Sequence, residues 1–238
     1  MRIECTGAAV HAPSVHNTQP WRFAHGEREI SVSANNERQL RVADRHGREM
    51  MISCGAALFT VRVALRYLGF VPTVRVLPDP DLPNLVARVA WDERVPPAEY
   101  EKQLFAEIPR RRTHRGGFDS ASLPAALLAD LPEEAAREKA MLSLMAEDRQ
   151  RAAAIAAVVE AGDGALRLDD ARAKEEARWA PGPSSHRQDG VPPTAYPAQP
   201  ERTEPNFASG AYPQMVLRFG TTSEPAVSVR RPAEEGLL

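Results

Sequence analysis

The sequence predicts an α+β fold, and three observations point to it. Short strand-like segments gather before residue 92: REISVS at 28–33 alternates apolar and polar residues, and further runs lie at about 72–77 and in LVARVAW at about 84–91. Period-two alternation of this kind suits a half-buried strand. One long apolar helix is predicted among them, from about Met51 to Leu68. Ala-rich amphipathic segments around 124–131, 146–162 and 165–179 follow as helices, so strands and helices are largely segregated along the chain.

The chain opens as loop, because Pro13, Asn17 and Pro20 interrupt any helix and the ring of Pro20 removes a backbone donor. The helix at 51–68 carries Ala56, Ala57, Leu58, Val61, Ala64, Leu65 and Leu68 at helical spacing and stops at Gly69, a usual terminator. Its small residues Ser53, Gly55, Ala56 and Ala57 would let another backbone approach closely. The turn PDPDLP joins the second and third strands. A basic loop, IPRRRTHRGGF, spans 108–118; further strands are expected at 140–145 and in MVLRFG at 215–220. Prolines at 181, 183, 192, 193, 197, 200, 205 and 213 mark residues 181–213 as a mobile linker or lid, since such a segment buries little apolar surface to offset its ordering entropy.

Composition removes several function classes. With 238 residues, 43% of them hydrophobic, there is material for a buried core, and a formal net charge of -2 provides no global field for polyanions. No apolar run approaches the roughly 20 residues that a membrane helix needs, and the start MRIECTGAAVHAP lacks the pattern of a secretory signal. Cys5 and Cys54 make neither a disulfide framework nor a four-ligand zinc site, so a cytoplasmic protein with reduced thiols is expected. Of 30 basic residues only Lys102, Lys139 and Lys174 are lysines, which leaves 27 arginines. This bias, suggestive of a GC-rich genome, makes a single arginine weak evidence for a site unless it lies in a motif. No dinucleotide fingerprint, Walker loop, GxSxG elbow or HExxH helix is present. Cys54, in the apolar helix, reads as core. His11 and His16 do not form a metal pair, because Pro13 prevents helical stacking between them.

The segment APSVHNTQPWRF at 12–23 concentrates polar chemistry. Pro13 and Pro20 stiffen it, while Ser14, Asn17 and Gln19 present donors and acceptors in a compact, non-helical setting. The plain alternative is that Asn17 and Gln19 satisfy the turn's own backbone. This segment resembles the APSxxNxQPW motif of FMN-dependent nitroreductases, and its His-Asn-Thr version resembles the Acg-like branch known from actinobacteria. The likeness continues through GREMMISCGAALFTVRVALRYLG (47–69), LPDP (77–80), RRRTHR and the terminal RRP; it is dense over 8–120 and looser over 210–238.

The resemblance implies a site for FMN. Pro13, Ser14, Asn17 and Gln19 would face the isoalloxazine ring, whose polar edge needs hydrogen bonds. Arg111, Thr113 and Arg115 match the family's phosphate and ribityl grip, followed by Gly116, Gly117 and Phe118 at its turn; guanidinium suits phosphate because its planar fork binds two oxygens. Arg230 and Arg231 match a terminal basic pair that reaches the same phosphate. His16 reads as a structural loop residue, no catalytic acid or base is assigned, and no metal is expected.

Ordinary members of that family are homodimers in which the loop of one subunit meets the phosphate grip of the other. Here the loop precedes the grip in one chain, which implies a fused pseudo-dimer, residues 1–107 forming the first half and 108–238 the second. The second half lacks a repeat of the small-residue helix, LPDP turn and strand, so it resembles a member with an internal deletion. The expected function is an FMN-dependent oxidoreductase acting on small molecules, with no nucleic-acid or membrane partner, as a monomeric pseudo-dimer or weak homodimer. The alternatives are a protein that holds FMN without turnover and a degenerate relative that no longer binds it.

Overall fold

The alternating segments pair as one antiparallel sheet. Strand β1 (Trp21–His25) pairs with β2 (Glu29–Ala34), and β4 (Leu85–Arg94) lies between β2 and β3 (Phe70–Val76), for a spatial order β1-β2-β4-β3. The molecule is described by a computed structural model, over residues 1–115, 118, 121–144, 149–166, 169–182, 184–192, 195 and 230–237. These fall into two compact units. The larger holds Met1–His114 with the described parts of Ala171–Ala195 and Ala226–Leu238; the smaller holds the described part of Arg115–Asp170.

In the larger unit, α2 (Arg48–Tyr67) packs against the sheet. Ile30, Val32 and Ala34 on β2 are buried while the intervening Glu29, Ser31 and Ser33 are not. Trp21 and Phe23 of β1 and Val89 and Trp91 of β4 join Cys54, Ala57, Val61 and Leu65 of α2 in one core cluster. Both ends of α2 are fixed by backbone chemistry. Gly47 precedes it at φ +70, and the buried Asp44 carboxylate accepts from Met50 N at 2.8 Å, placing negative charge on otherwise unsatisfied donors. Gly69 ends it at φ +80. The helix is longer than expected, and its length and composition would suffice for a membrane span; half of its most apolar window is nonetheless buried inside the protein, as in a core helix.

Several elements depart from the sequence expectations. The expected opening loop is a helix, α1 (Arg2–Ala9), which buries Cys5, Thr6 and Ala9. Its lone strong aliphatic residue, Ile3, is exposed, so no apolar stripe announced it. Strand β1 begins directly after Pro20. In the smaller unit, α4 (Ala125–Arg137) continues through Pro132, and α5 (Arg149–Leu166) follows; residues 140–144 form no strand, and residue 145 lies outside the described residues. The segment MVLRFG at 215–220 also lies outside them. Helix α6 (Asp170–Arg178) follows α5 in sequence.

Helix α3 (Glu99–Glu107) was not expected either; tertiary contacts hold it. Phe105 stacks on Tyr67 with ring centroids 4.0 Å apart, and Arg66 Nε and Nη2 donate to Glu101 Oε1 and Oε2 at 2.7 and 3.0 Å. Glu101 also accepts from Ala98 N at 2.8 Å. The Arg66 hydrogen bonds hold the Glu101 carboxyl below its ordinary range. A carboxylate lowered by folding contributes stability above its unfolded pKa and loses it as pH falls through its folded value. Glu101→Gln is therefore expected to cost about 1 kcal/mol at neutral pH. The gap between wild type and variant should narrow in urea unfolding as pH falls below the ordinary glutamate range, because the wild-type carboxylate then takes up a proton.

Candidate functional site

The loop before β1 is wound unusually tightly. A three-ten turn at Val15–Asn17 is closed by Asn17 N–H to Ser14 C=O and Thr18 N–H to Val15 C=O, both at 3.0 Å. His16, Asn17 and Gln19 adopt φ of +47, +53 and +49, the left-handed region that side chains avoid. Such residues cost about 1–3 kcal/mol each and persist where surroundings over-determine them. Ser14 Oγ supplies one restraint by accepting from Gln19 N at 2.9 Å. Pro13, by contrast, is exposed.

The remaining restraints come from residues distant in sequence. Asn17 Nδ2 donates to Gly190 C=O at 3.0 Å, Gly190 N donates to Asn17 C=O at 3.2 Å, and Arg230 Nη1 donates to Asn17 Oδ1 at 2.8 Å. Gln19 is wholly buried: its Nε2 donates to Gln188 C=O and its Oε1 accepts from Arg231 N, both at 2.8 Å. The Arg231 guanidinium turns inward as well, donating to the carbonyls of Gln19, Trp21 and Glu235 at 3.1–3.2 Å. Burial and the charge of Arg38 lower its pKa from the usual arginine value. The terminal pair thus divides: Arg231 holds backbone, while Arg230 lies beside Asn17.

Residues that no sequence motif singled out bring Gly190 there. Arg38 Nη1 and Nη2 donate to Asp189 Oδ2 at 2.8 and 2.6 Å, and Arg187 Nε donates to Asp189 Oδ1 at 2.8 Å. Both guanidinium groups lie 5.5 Å from the Trp179 ring centroid. Glu175 on α6 accepts from the N–H groups of Val42 and Ala43 at 2.9–3.1 Å. Together they anchor the described part of 181–192, with Val191 and Gly190 buried. The linker or lid was expected over 181–213, of which residues 183, 193, 194 and 196–213 lie outside the described residues; Arg187, Asp189 and, just before the segment, Trp179 carried no spacing that a single sequence could reveal. A polar cleft of about 480 Å³, edged by Arg22, Arg38, Arg178, Trp179 and Arg187, opens here.

Of the basic loop, Arg111 reaches the N-terminal segment: its Nη2 donates to His11 C=O at 3.1 Å, and its Nη1 donates to Thr113 Oγ1 at 3.4 Å. Arg115 is half-buried and belongs to the smaller unit; Gly116 and Gly117 lie outside the described residues. Ser14, Asn17, Gln19, Arg230 and Arg231 are therefore joined in one network, and Arg111 with Thr113 meets the same segment at His11. His11 is held below the ordinary histidine pKa by burial and by Arg230, Arg112 and Arg111. Burial pushes both cysteine thiols up to about 12, which leaves neither as a nucleophile near neutrality. Among the described residues no cluster of His, Cys, Asp and Glu could hold a metal.

The donor set around His11 fits an anionic phosphate: three guanidinium groups act on one ring, and His11 Nδ1 is buried with no hydrogen-bond partner among the described residues. The amides of Asn17 and Gln19 are already bonded to protein. A flavin ring edge at these amides would share them with Gly190, Gln188, Arg230 or Arg231.

Gly190 is the tightest point of the network. It holds φ +82, and a Cβ there would lie 2.5 Å from Trp179 O and 2.8 Å from Pro181 Cδ. Gly190→Ala is expected to lower unfolding stability by about 2 kcal/mol or more through strain and clash. Gly182, with nothing within 4 Å of an added Cβ, is the control. Its alanine variant should stay within about 0.5 kcal/mol of wild type in the same urea titration.

No family model matches the chain. Curated relatives from Mycobacterium tuberculosis do. One, provisionally named an NAD(P)H nitroreductase, is 38% identical over 153 residues, covering 64% of this chain and 44% of the relative. An uncharacterized protein is 29% identical over 198 residues, 82% of this chain and 56% of its own length. Acg, also provisionally named an NAD(P)H nitroreductase, is 28% identical over 185 residues, 77% of this chain and 54% of its own. The chain spans about half the length of these relatives. Its antiparallel α/β architecture is compatible with a nitroreductase-like fold, and the chain is similar to proteins provisionally named NAD(P)H nitroreductases, Acg among them.

Proposed function

We propose that the protein is an FMN-dependent oxidoreductase that passes electrons from a reduced nicotinamide or other donor to a small nitro, quinone or similar acceptor. The observation that carries this reading is the convergence of two distant segments on the stretch 11–19. Arg230 meets Asn17 across 213 positions at 2.8 Å, and Arg111 meets His11 across 100 positions at 3.1 Å. Relatives provisionally named NAD(P)H nitroreductases support the reaction class.

In this reading Arg111, Thr113, Arg115 and Arg230 hold the phosphate and ribityl end. Pro13, Ser14, Asn17 and Gln19 orient the ring, and Arg231 fixes the loop that carries them. Bound flavin would supply the hydride and electron chemistry; the chain's own residues bind, orient and exclude water. No side chain is assigned as acid or base. The reading includes the fused pseudo-dimer, with halves 1–107 and 108–238 and the second incomplete, and a cytoplasmic protein that is monomeric or weakly dimeric. A second reading, a relative that holds flavin without turnover or has lost it, is favoured by one observation: the Asn17 and Gln19 amides are already hydrogen-bonded to protein groups.

Flavin titration separates these readings. FMN should bind more tightly than riboflavin. Arg111→Ala should weaken FMN by about 1.5–3 kcal/mol and barely alter riboflavin, because only the charge-assisted phosphate contact is lost. Asn17→Ala should weaken both ligands alike, by about 1 kcal/mol. A colourless purified protein that takes up neither flavin would exclude the oxidoreductase reading. Flavin that binds but is not bleached by NAD(P)H and reoxidised by a nitroaromatic or quinone would favour holding without turnover.

A further inference from the structure

The cleft beside Trp179 lies wholly within the larger unit, and the flavin reading makes no use of it. Its volume of about 480 Å³ falls in the range of small-molecule sites, about 300–1,000 Å³. Much of its lining is already committed to protein. Arg38 and Arg187 grip Asp189, Arg231 donates to backbone carbonyls, and Arg22 Nη2 donates to Glu37 Oε2 at 3.0 Å. Three donors are left over. Arg178, the last residue of α6, makes no side-chain hydrogen bond or ion pair among the described residues; Arg187 Nη1 reaches only its carbonyl, at 2.5 Å. The indole N–H of half-buried Trp179 has no acceptor among them either. Asn35 is only 6% exposed, and its Oδ1 accepts from Glu37 N at 3.2 Å, which leaves Nδ2 as a buried donor with no partner among the described residues. The Glu235 carboxylate likewise accepts no hydrogen bond among them, only its backbone carbonyl being used.

Guanidinium, amide N–H and indole N–H groups can only donate, so the ligand they fit is rich in acceptors. Its charge follows from the lining: five arginines stand against three carboxylates among the described residues, an excess of two positive charges. A phosphate monoester, with up to two negative charges and three strong acceptor oxygens, matches that excess and those three donors; a carboxylate offers one charge and two oxygens. Trp179 supplies the one aromatic ring of a lining that is otherwise polar or charged. A hydrocarbon body would leave those polar groups buried without partners, whereas hydroxyl groups would meet them. We propose that this cleft binds a small sugar or polyol phosphate, its phosphate held by Arg178, Asn35 Nδ2 and the Trp179 N–H, with Glu235 accepting from a hydroxyl. The site is prepared before the ligand arrives: the guanidinium groups of Arg38 and Arg187, both tied to Asp189, lie 5.5 Å from the Trp179 ring centroid and hold the ring in place. None of the residues assigned above to the flavin phosphate, Arg111, Thr113, Arg115 and Arg230, is on this lining. The cleft is therefore a second site, and it stands whether or not the protein binds flavin.

The test follows the Trp179 indole N–H resonance of the full chain by NMR, assigned by its loss in Trp179→Phe. Ribose 5-phosphate, ribose, inorganic phosphate and FMN are titrated in turn, with chloride keeping the ionic strength constant. Ribose 5-phosphate should move the resonance saturably, ribose should leave it in place, and inorganic phosphate should act only at higher concentration. Arg178→Ala, at an exposed position without a side-chain partner among the described residues, should weaken ribose 5-phosphate about tenfold. Asn35→Asp keeps the acceptor for Glu37 N but replaces the free donor by a negative charge, and should weaken it further. Ribose 5-phosphate that leaves the indole resonance unmoved overturns the proposal, and the wild-type titration decides this even if a variant does not fold. Inorganic phosphate that binds as tightly as ribose 5-phosphate means an adventitious ion only and overturns it, as does unchanged affinity in Arg178→Ala. FMN that displaces ribose 5-phosphate from the cleft overturns the claim of a second site and leaves flavin binding intact. Ribose 5-phosphate bound at Trp179 in a protein that takes up no flavin supports the cleft and overturns the flavin reading alone.

Discussion

The arrangement of the site depends on the burial of two polar side chains, Gln19 and Arg231. A wholly buried amide and an almost wholly buried guanidinium are tolerable only if their hydrogen-bonding groups find partners, since each unmet buried group costs about 1–3 kcal/mol and a charge more. Gln19 takes one partner from residue 188 and one from residue 231, and Arg231 returns hydrogen bonds to the carbonyls of Gln19 and Trp21. Neither residue can be satisfied within its own segment. Once both are buried, the N-terminal loop, the 188–190 segment and the C-terminal residues are held at one place.

That mutual dependence explains how the loop retains three non-glycine residues in left-handed conformation. Asn17, Thr18 and Gln19 are each held by hydrogen bonds: Arg38 donates to the Thr18 carbonyl, Ser14 within the loop caps Gln19 N, and Gly190 closes two hydrogen bonds on Asn17. Strain in the loop is thus offset by contacts from residues up to 213 positions away. The core beneath is ordinary by comparison. Trp21 and Phe23 follow the loop directly and are buried against α2, so the strained turn is continuous with the most apolar part of the sheet. Residues 231–237 run beside this edge, where Leu237 bridges Phe23 in parallel.

The site is electrostatically lopsided in a way that composition conceals. A chain of net charge -2 gathers Arg111, Arg112 and Arg230 about one imidazole, and Arg38 with Arg187 about one aspartate. The two clusters differ in chemistry. Asp189 joins Arg38 and Arg187 of the second by direct hydrogen bonds and makes it structural, whereas in the first Arg111 donates to the His11 carbonyl and Arg230 to Asn17 Oδ1. An abundance of arginine therefore says little by itself; the charges that face each arginine decide what it does.

Much of the framework was legible in the residues alone. The alternation of REISVS marked β2, the helical spacing of apolar residues with Gly69 at their end marked α2, and the compact polar loop at Pro13–Gln19 marked the segment where the buried hydrogen-bond network forms. These are local signals, written within one or two turns of chain or one strand. Helix α1, helix α3 and strand β1 were not legible, because burial of Cys5, the Tyr67–Phe105 stack and the Arg66–Glu101 pair depend on partners far along the chain. The motif named Asn17, Gln19, Arg230 and Arg231 as site residues but could not say which would meet. By itself the sequence determined the sheet-and-helix core and the chemical inventory of the loop, since side-chain periodicity and backbone restriction act over a few residues. Only the tertiary structure decided that Arg231 turns inward to carbonyls while Arg230 lies beside Asn17, and that Asp189, Trp179 and His11 enter the neighbourhood at all, because the pairing of buried polar groups is settled by which distant segments exclude water together.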